Sequence, residues 1–303
     1  MMLSLHNDTF SVEINSFGAE LSSMKDETGT EYIWYGDPAY WSGRSPVLFP
    51  AVGVFRNGQT IIDGKAYRLP KHGFARRSAF ELLNQTKDTA VFRLSDNEST
   101  REVYPFSFNL TITYTLEADC LAVKYEVENH NEREMPYSLG LHTAFLLPTA
   151  PAAAWQAEHP QEGCGYVVEF EKAETLDSPL MDMETGIVDL DDRVHIPLED
   201  GRRLAFDHRL FDHDALSLTE LHSKKVALRH LPTDTGVEIT FDGFDMFGLW
   251  TPNAVKAPFL CLEPWAGIGD TTGSDGVFAH KKGIRILAAG ETDTYHYTIR
   301  PIR

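Results

Sequence analysis

Alternation of apolar and polar residues with a period of two runs through this chain. From Asn109 to Glu117, Leu110, Ile112, Tyr114 and Leu116 alternate with Thr111, Thr113 and Thr115. From Leu121 to Glu128, Leu121, Val123, Tyr125 and Val127 alternate with Ala122, Lys124, Glu126 and Glu128. Successive side chains of a strand point to opposite faces, so these segments predict half-buried antiparallel strands. The short polar link Glu117-Ala118-Asp119 predicts a hairpin between them. The same pattern predicts strands at Phe80–Leu83, Ala90–Leu94, Lys225–Arg229, Val237–Phe241, Phe259–Glu263 and Tyr295–Ile299. Helical periodicity is weak. The 16 prolines and 22 glycines are scattered, which suits many short strands joined by turns. The expected class is all-β, a sandwich or barrel. Ala150–Ala154 reads as a loop, and no repeat or linker divides the chain, so residues 1–303 read as one domain.

Composition narrows the function classes. Hydrophobic residues make up 42% of the chain, too many for a disordered protein. The 27 basic and 45 acidic residues leave a net charge of −18. Such a surface repels nucleic-acid phosphates and anionic lipid, so neither is an expected partner. The three cysteines, Cys120, Cys164 and Cys261, are far apart and form no CxxC pair, which fits a reducing cytoplasm. The opening MMLSLHNDTF has neither the basic nor the apolar part of a secretory leader, and no apolar run is long enough for a membrane span. A cytoplasmic protein is expected, as a monomer or homodimer.

Common catalytic signatures are missing: there is no GxxxxGK[ST], no HExxH and no GxSxG. The glycines of Gly267–Gly273 have the wrong spacing for a dinucleotide loop, and no helical pattern follows. Three segments instead set ionisable residues among apolar residues or glycines. His72 precedes Gly73 in Leu69–Arg77, where a backbone without Cβ allows close approach of a ligand. His142 lies in the apolar run Ser138–Phe145. Glu263 ends an apolar strand and is followed by Pro264 and Trp265. A lone histidine is more often structural than catalytic, but a carboxylate in such a strand is costly to bury without partners.

The order HGFAR, GLHTAF, LEPWAG, preceded by Pro46–Gly53 and Asn57–Pro70, resembles the aldose 1-epimerase or galactose mutarotase-like family, and more closely its LacX-type branch. The likeness covers nearly the whole chain. It implies an antiparallel β-supersandwich with a sugar in a cleft on its concave face. By that resemblance His142 is the general acid, Glu263 the general base, and His72 a hydrogen-bonding partner of the substrate. Asp214, with Asp212 as the alternative, matches an aspartate that binds sugar hydroxyls. Trp265 is a candidate platform for a sugar face. The family's substrate-binding arginine has no clear counterpart in Gly53–Gly58; Arg56, Arg44 or Arg76 are the candidates. Lys71, Arg76 and Arg77 offer a phosphate clamp for a hexose 6-phosphate, against the overall charge.

The implied reaction interconverts the α and β anomers of an aldohexose. Glu263 takes the proton of the C1 hydroxyl, His142 protonates the ring oxygen, and the ring opens to the aldehyde. Reference pKa values of about 4.3 for Glu and about 6.5 for His fit those roles. The two groups are expected on opposite sides of the anomeric centre. No metal or other cofactor is required. Three other readings compete. A non-catalytic sugar-binding module would keep the cleft without the acid–base pair. A glycoside hydrolase would need two facing carboxylates. A metal-dependent isomerase would use His72, His142 and Glu263 as ligands.

Overall fold

The computed structural model describes residues 1–148 and 164–303; the loop expected at Ala150–Ala154 lies outside them. Antiparallel strands dominate, and the one α-helix among the described residues is the short Glu98–Val103. The two strands read from the strongest alternation span Phe108–Leu116 and Leu121–Asn129. Leu121 pairs with Leu116 and Val127 with Leu110, so the apolar sets of both strands share a face.

These strands belong to a nine-stranded sheet. Its order runs from Arg203–Ala205 through Tyr166–Phe170, Lys225–His230, Thr235–Asp242, Thr292–Ile302, Leu121–Asn129, Phe108–Leu116 and Thr89–Ser95 to Glu81–Gln85. A six-stranded sheet is built around Phe259–Ala266. Met246–Trp250 flanks that strand on one side, and Leu139–Leu141 and Thr143–Leu146 on the other. Phe241 and Phe247, one from each sheet, lie with ring centroids 4.9 Å apart. Phe49 and Phe108 meet at 5.1 Å. The sheets therefore pack face to face over an aromatic core, the sandwich that one-sided strands require.

Phe259–Ala266 explains where a site can form. Leu260, Leu262 and Ala266 point into the core between the sheets. Phe259, Cys261, Glu263 and Trp265 point the other way, by the period-two rule. All eight residues are buried, so the second face is covered too. Trp34 and Trp41 cover Phe259 and Cys261. Val52, Val188 and Ile268 cover Trp265, with Met181 beside them. The strand expected to end at Glu263 continues through Pro264 and Trp265 to Ala266. Pro264 has no N–H to donate, and the neighbouring ladder is broken opposite it, between Leu141 and Thr143.

Candidate active site

His142 sits in that break. The pairs Leu139–Ala266, Gly140–Trp265 and Thr143–Leu262 run without a slip, so His142 falls directly across from Glu263. On the other side Glu263 pairs with Gly248. The His142 Nε2 and Glu263 Oε1 atoms are 3.3 Å apart, and the two side chains are 12% and 2% exposed. The sequence reading expected the two on opposite sides of the reacting carbon. Cross-strand neighbours instead share a face, and the pair forms the floor of one cleft.

The cleft has a volume of about 250 Å3. Besides the pair, its walls include His72, Asp214, Arg76, Lys71 and Trp265. Most of the expected site residues, scattered from position 72 to 265, thus meet in one place. A hollow of about 400 Å3 beside Tyr32 and Tyr166 is larger. Its carboxylates, Asp26 and Glu31, are spent on backbone N–H groups of their own segment. The smaller cleft is the one that brings a histidine and a buried carboxyl together.

Trp265 needs two glycines. Its indole lies over Gly248, where an added Cβ would be 2.3 Å from Cζ2, and against Gly140, where one would be 2.9 Å from Cδ1. His72 and Asp214 both adopt left-handed backbone, with φ of 64° and 68°. That region costs energy for residues other than glycine and is held here by surrounding structure. For His72 the hold is reciprocal: its N–H donates to the Gly53 carbonyl at 2.9 Å, and the Gly53 N–H donates to His72 Nδ1 at 3.1 Å. Nδ1 is therefore an acceptor, which leaves the proton of the neutral ring on Nε2.

Electrostatics follow from burial. Desolvation pushes the Glu263 carboxyl well above its usual range, and the negative charge of Asp214 adds to this. The Trp265 indole and Lys71 oppose the rise, although the indole N–H makes no regular hydrogen bond. Desolvation lowers His142 to about 3. His72 is also pushed well below its usual value, first by burial and then by His142. Burial thus pushes both members of the pair in the direction of their uncharged forms. The reference value by which Glu263 reads as a base is that of a carboxyl in water, and burial acts against it here. Among the described residues Glu263 Oε1, Trp265 Nε1 and Arg76 Nε are buried without hydrogen-bond partners. These are donors and acceptors that a ligand rich in hydroxyls can satisfy.

Other candidates lie elsewhere. Arg56 does not line the cleft; its guanidinium donates to the Thr271 and Thr272 carbonyls, and its N–H donates to Asp270. Arg44 donates to the Ser22 carbonyl, and Asp212 accepts from Asn253. Neither lines the cleft, nor does exposed Arg77, so the three-residue clamp reduces to Lys71 and Arg76. His142, Cys261 and Glu263 offer ligand atoms within 4.8 Å of one another, a set that could hold a metal. His72 is not part of that set. Pattern reading missed Trp41, Trp250, Ser217, Ile268 and Gly269, all of which line the cleft. The signal available was the density of tryptophan near Trp41, but indoles are usually core residues.

Comparisons with known proteins bear on the chain as a whole. A family model described as aldose 1-epimerase matches residues 1–300. The chromosomal protein LacX of Lactococcus lactis subsp. lactis is 32% identical over 305 aligned positions, covering 99% of each chain. A galactose mutarotase related enzyme from Lactobacillus acidophilus superposes with a TM-score of 0.91 at 31% identity, covering 100% of this chain and 98% of that one. A galactose mutarotase-like protein from Lactobacillus casei superposes with a TM-score of 0.89 at 27% identity, covering 99% and 100%. A match that spans the sandwich from its first strand to its last leaves one conclusion: this chain belongs to the aldose 1-epimerase family.

Proposed function

We propose that this protein is an aldose 1-epimerase that interconverts the α and β anomers of an aldohexose, with Glu263 and His142 as its acid–base pair. The observation that carries the reading is their contact, Nε2 to Oε1 at 3.3 Å, on the floor of a cleft with unsatisfied polar atoms. The C1 hydroxyl and the ring oxygen are bonded to the same carbon. One must lose a proton as the other gains one, so adjacent groups suit them better than opposed ones. On ring opening the O1 proton passes to one member of the pair, C1=O1 forms, the C1–O5 bond breaks, and O5 takes a proton from the other member. Rotation about C1–C2 presents the other carbonyl face, and closure runs the steps backward.

One proton is shared throughout. Glu263 as base and His142 as acid describe one direction of this cycle. The form favoured by burial, with the proton on Glu263, starts the other. Two protons shift and one C–O bond breaks and re-forms with no change of oxidation state, so the reaction needs no redox cofactor and no nucleotide. In this reading His72, through Nε2–H, and Asp214 bind ring hydroxyls and Trp265 meets an apolar sugar face; all three line the cleft.

The test is polarimetry of fresh α-D-glucose and α-D-galactose with wild type, Glu263→Gln and His142→Asn. Each substitution is expected to lower the rate by about 10²–10⁴-fold while the variants remain folded by circular dichroism. Acceleration that survives in both folded variants would remove the pair from the mechanism. Lys71 and Arg76 support a second reading, an aldose that carries a phosphate. Both line the cleft, and neither forms an ion pair among the described residues. Glucose 6-phosphate turned over with a lower KM than glucose, a preference lost in Arg76→Gln, would favour it. Equal KM values would leave the free sugar.

A further inference from the structure

A catalytic imidazole needs its plane fixed as well as its neighbours. The usual device is a hydrogen bond from the ring nitrogen remote from the substrate to a carboxylate or carbonyl. His142 lacks that device among the described residues: Nδ1 is buried and makes no regular hydrogen bond, and the imidazole's one backbone interaction is with its own residue. Aromatic rings surround it instead. The Trp41 indole stacks on its face with centroids 4.9 Å apart and planes inclined by 26°. Trp250 meets it edge-on at 5.4 Å and 75°. Trp41 and Trp250 touch each other at 5.5 Å.

The indole is itself held in place. Trp34, fully buried, donates its Nε1–H to the Trp41 carbonyl at 2.8 Å. The Trp41 N–H donates to the Asp37 carbonyl at 2.9 Å. Gly43 supports the far end of the ring, where an added Cβ would be 2.4 Å from Cζ2. The stack is therefore set by the loop around Trp41 and not by contact with His142 alone.

We propose that Trp41 is a positioning residue that fixes the His142 imidazole and stabilises its charged form, in place of a polar partner at Nδ1. The inference rests on the acid–base role given to His142 above. The negative face of an indole attracts a cation over it, more so where water is excluded. It acts only when His142 holds the extra proton, which is when the pair is in its ionised form. Trp41 also lines the cleft, so the competing role is a platform for the sugar.

Steady-state kinetics of wild type, Trp41→Leu and Trp41→Phe separate the two roles. Leucine keeps apolar cover but removes the π face. The expected result is a kcat lower by roughly 2- to 30-fold, the range of one cation–π contact, with KM unchanged. Phenylalanine should restore part of the loss, and it also serves if the leucine variant fails to fold. A raised KM with unchanged kcat in either variant would make Trp41 a sugar platform and overturn the proposal. A second readout needs no turnover. The carbon-bound ring protons of His142, assigned by their loss in His142→Asn, should be shifted upfield in wild type by the stacked indole and lose that shift in Trp41→Leu. Normal shifts in wild type would overturn the stack itself. A protein that turned over no aldose, yet showed the shift, would sink the reading of the reaction and the charge-stabilising role with it, and leave Trp41 a positioning residue only.

Discussion

Glu263 is expensive for the fold. Its side chain is 2% exposed and its carboxyl is pushed toward the protonated form by burial. In the unfolded chain the same group ionises freely near the ordinary carboxylate value. A group whose folded pKa is raised favours folding below its unfolded pKa and loses that advantage as pH rises toward the folded value. At neutral pH the protein therefore carries the cost. Glu263→Gln is expected to raise stability by about 1 kcal/mol at neutral pH and by less near pH 4.5, read from thermal melts at the two values. An equal gain at both would mean that the carboxyl is not held protonated. His142 has the opposite window. Its folded pKa is lowered to about 3, so its cost falls on the acid side, between that value and the ordinary range of histidine. His72 and Asp214 add backbone strain at the same place. Aspartate and histidine enter the left-handed region more readily than most residues, as Asp63, Asp200 and Asp234 also do here, so residue type alone did not single out these two.

At the scale of the element, Phe259–Ala266 shows how a strand can serve two faces. Leu260, Leu262 and Ala266 build the core, while Glu263 and Trp265 on the other face line the cleft. The alternation was hidden because nearly every residue is apolar, as expected of a strand covered on both sides. The neighbouring strands supply space where Trp265 needs it. Gly248→Ala would drive a methyl group into the indole, since its Cβ would lie 2.3 Å from Cζ2. The expected loss is about 1–3 kcal/mol of stability, with a rise in KM larger than any fall in kcat. Denaturant melts and polarimetry check the two parts. Unchanged KM would mean that Trp265 does not touch the sugar. The partnership of His142 and Glu263 was legible as two segments, each with an ionisable residue in an apolar run. Their opposition was not, because the register between strands 121 positions apart is set by the whole sheet.

At the scale of the molecule, distant segments must be tied together for the cleft to keep its shape. One tie is the buried ion pair of Lys281 and Asp270, with an Nζ to Oδ1 distance of 2.5 Å and side chains 2% exposed. Asp270 also accepts the Arg56 N–H at 2.9 Å, and its own N–H donates to the Val54 carbonyl. The pair thus joins the wall at Gly53–Val54 to the wall at Ile268–Gly269. Lys281→Met would leave Asp270 buried and unpaired, with an expected loss of about 3–5 kcal/mol in a denaturant melt. Lys281→Met combined with Asp270→Leu should recover part of it. A single variant as stable as wild type would show that the tie does not carry load. Arg56, a candidate for the substrate by its place in the sequence, belongs to this tie. Sequence proximity to His72 was a poor guide because the chain between them turns away from the cleft through the strands Thr60–Ile62 and Lys65–Tyr67.

By itself the sequence determined the class of fold, because strand burial is local: a period of two states which side faces inward, residue by residue. It also determined which segments carry chemistry, through ionisable residues set among apolar residues and glycines. Tertiary structure alone decided that His142 lies across from Glu263, that Arg76 and Lys71 reach the cleft while Arg56 and Arg77 do not, and that tryptophans from two other segments enclose the imidazole. Those decisions depend on pairing between residues far apart in the chain, and on how much water the assembled walls exclude. Neither quantity exists until the sheets have closed on one another.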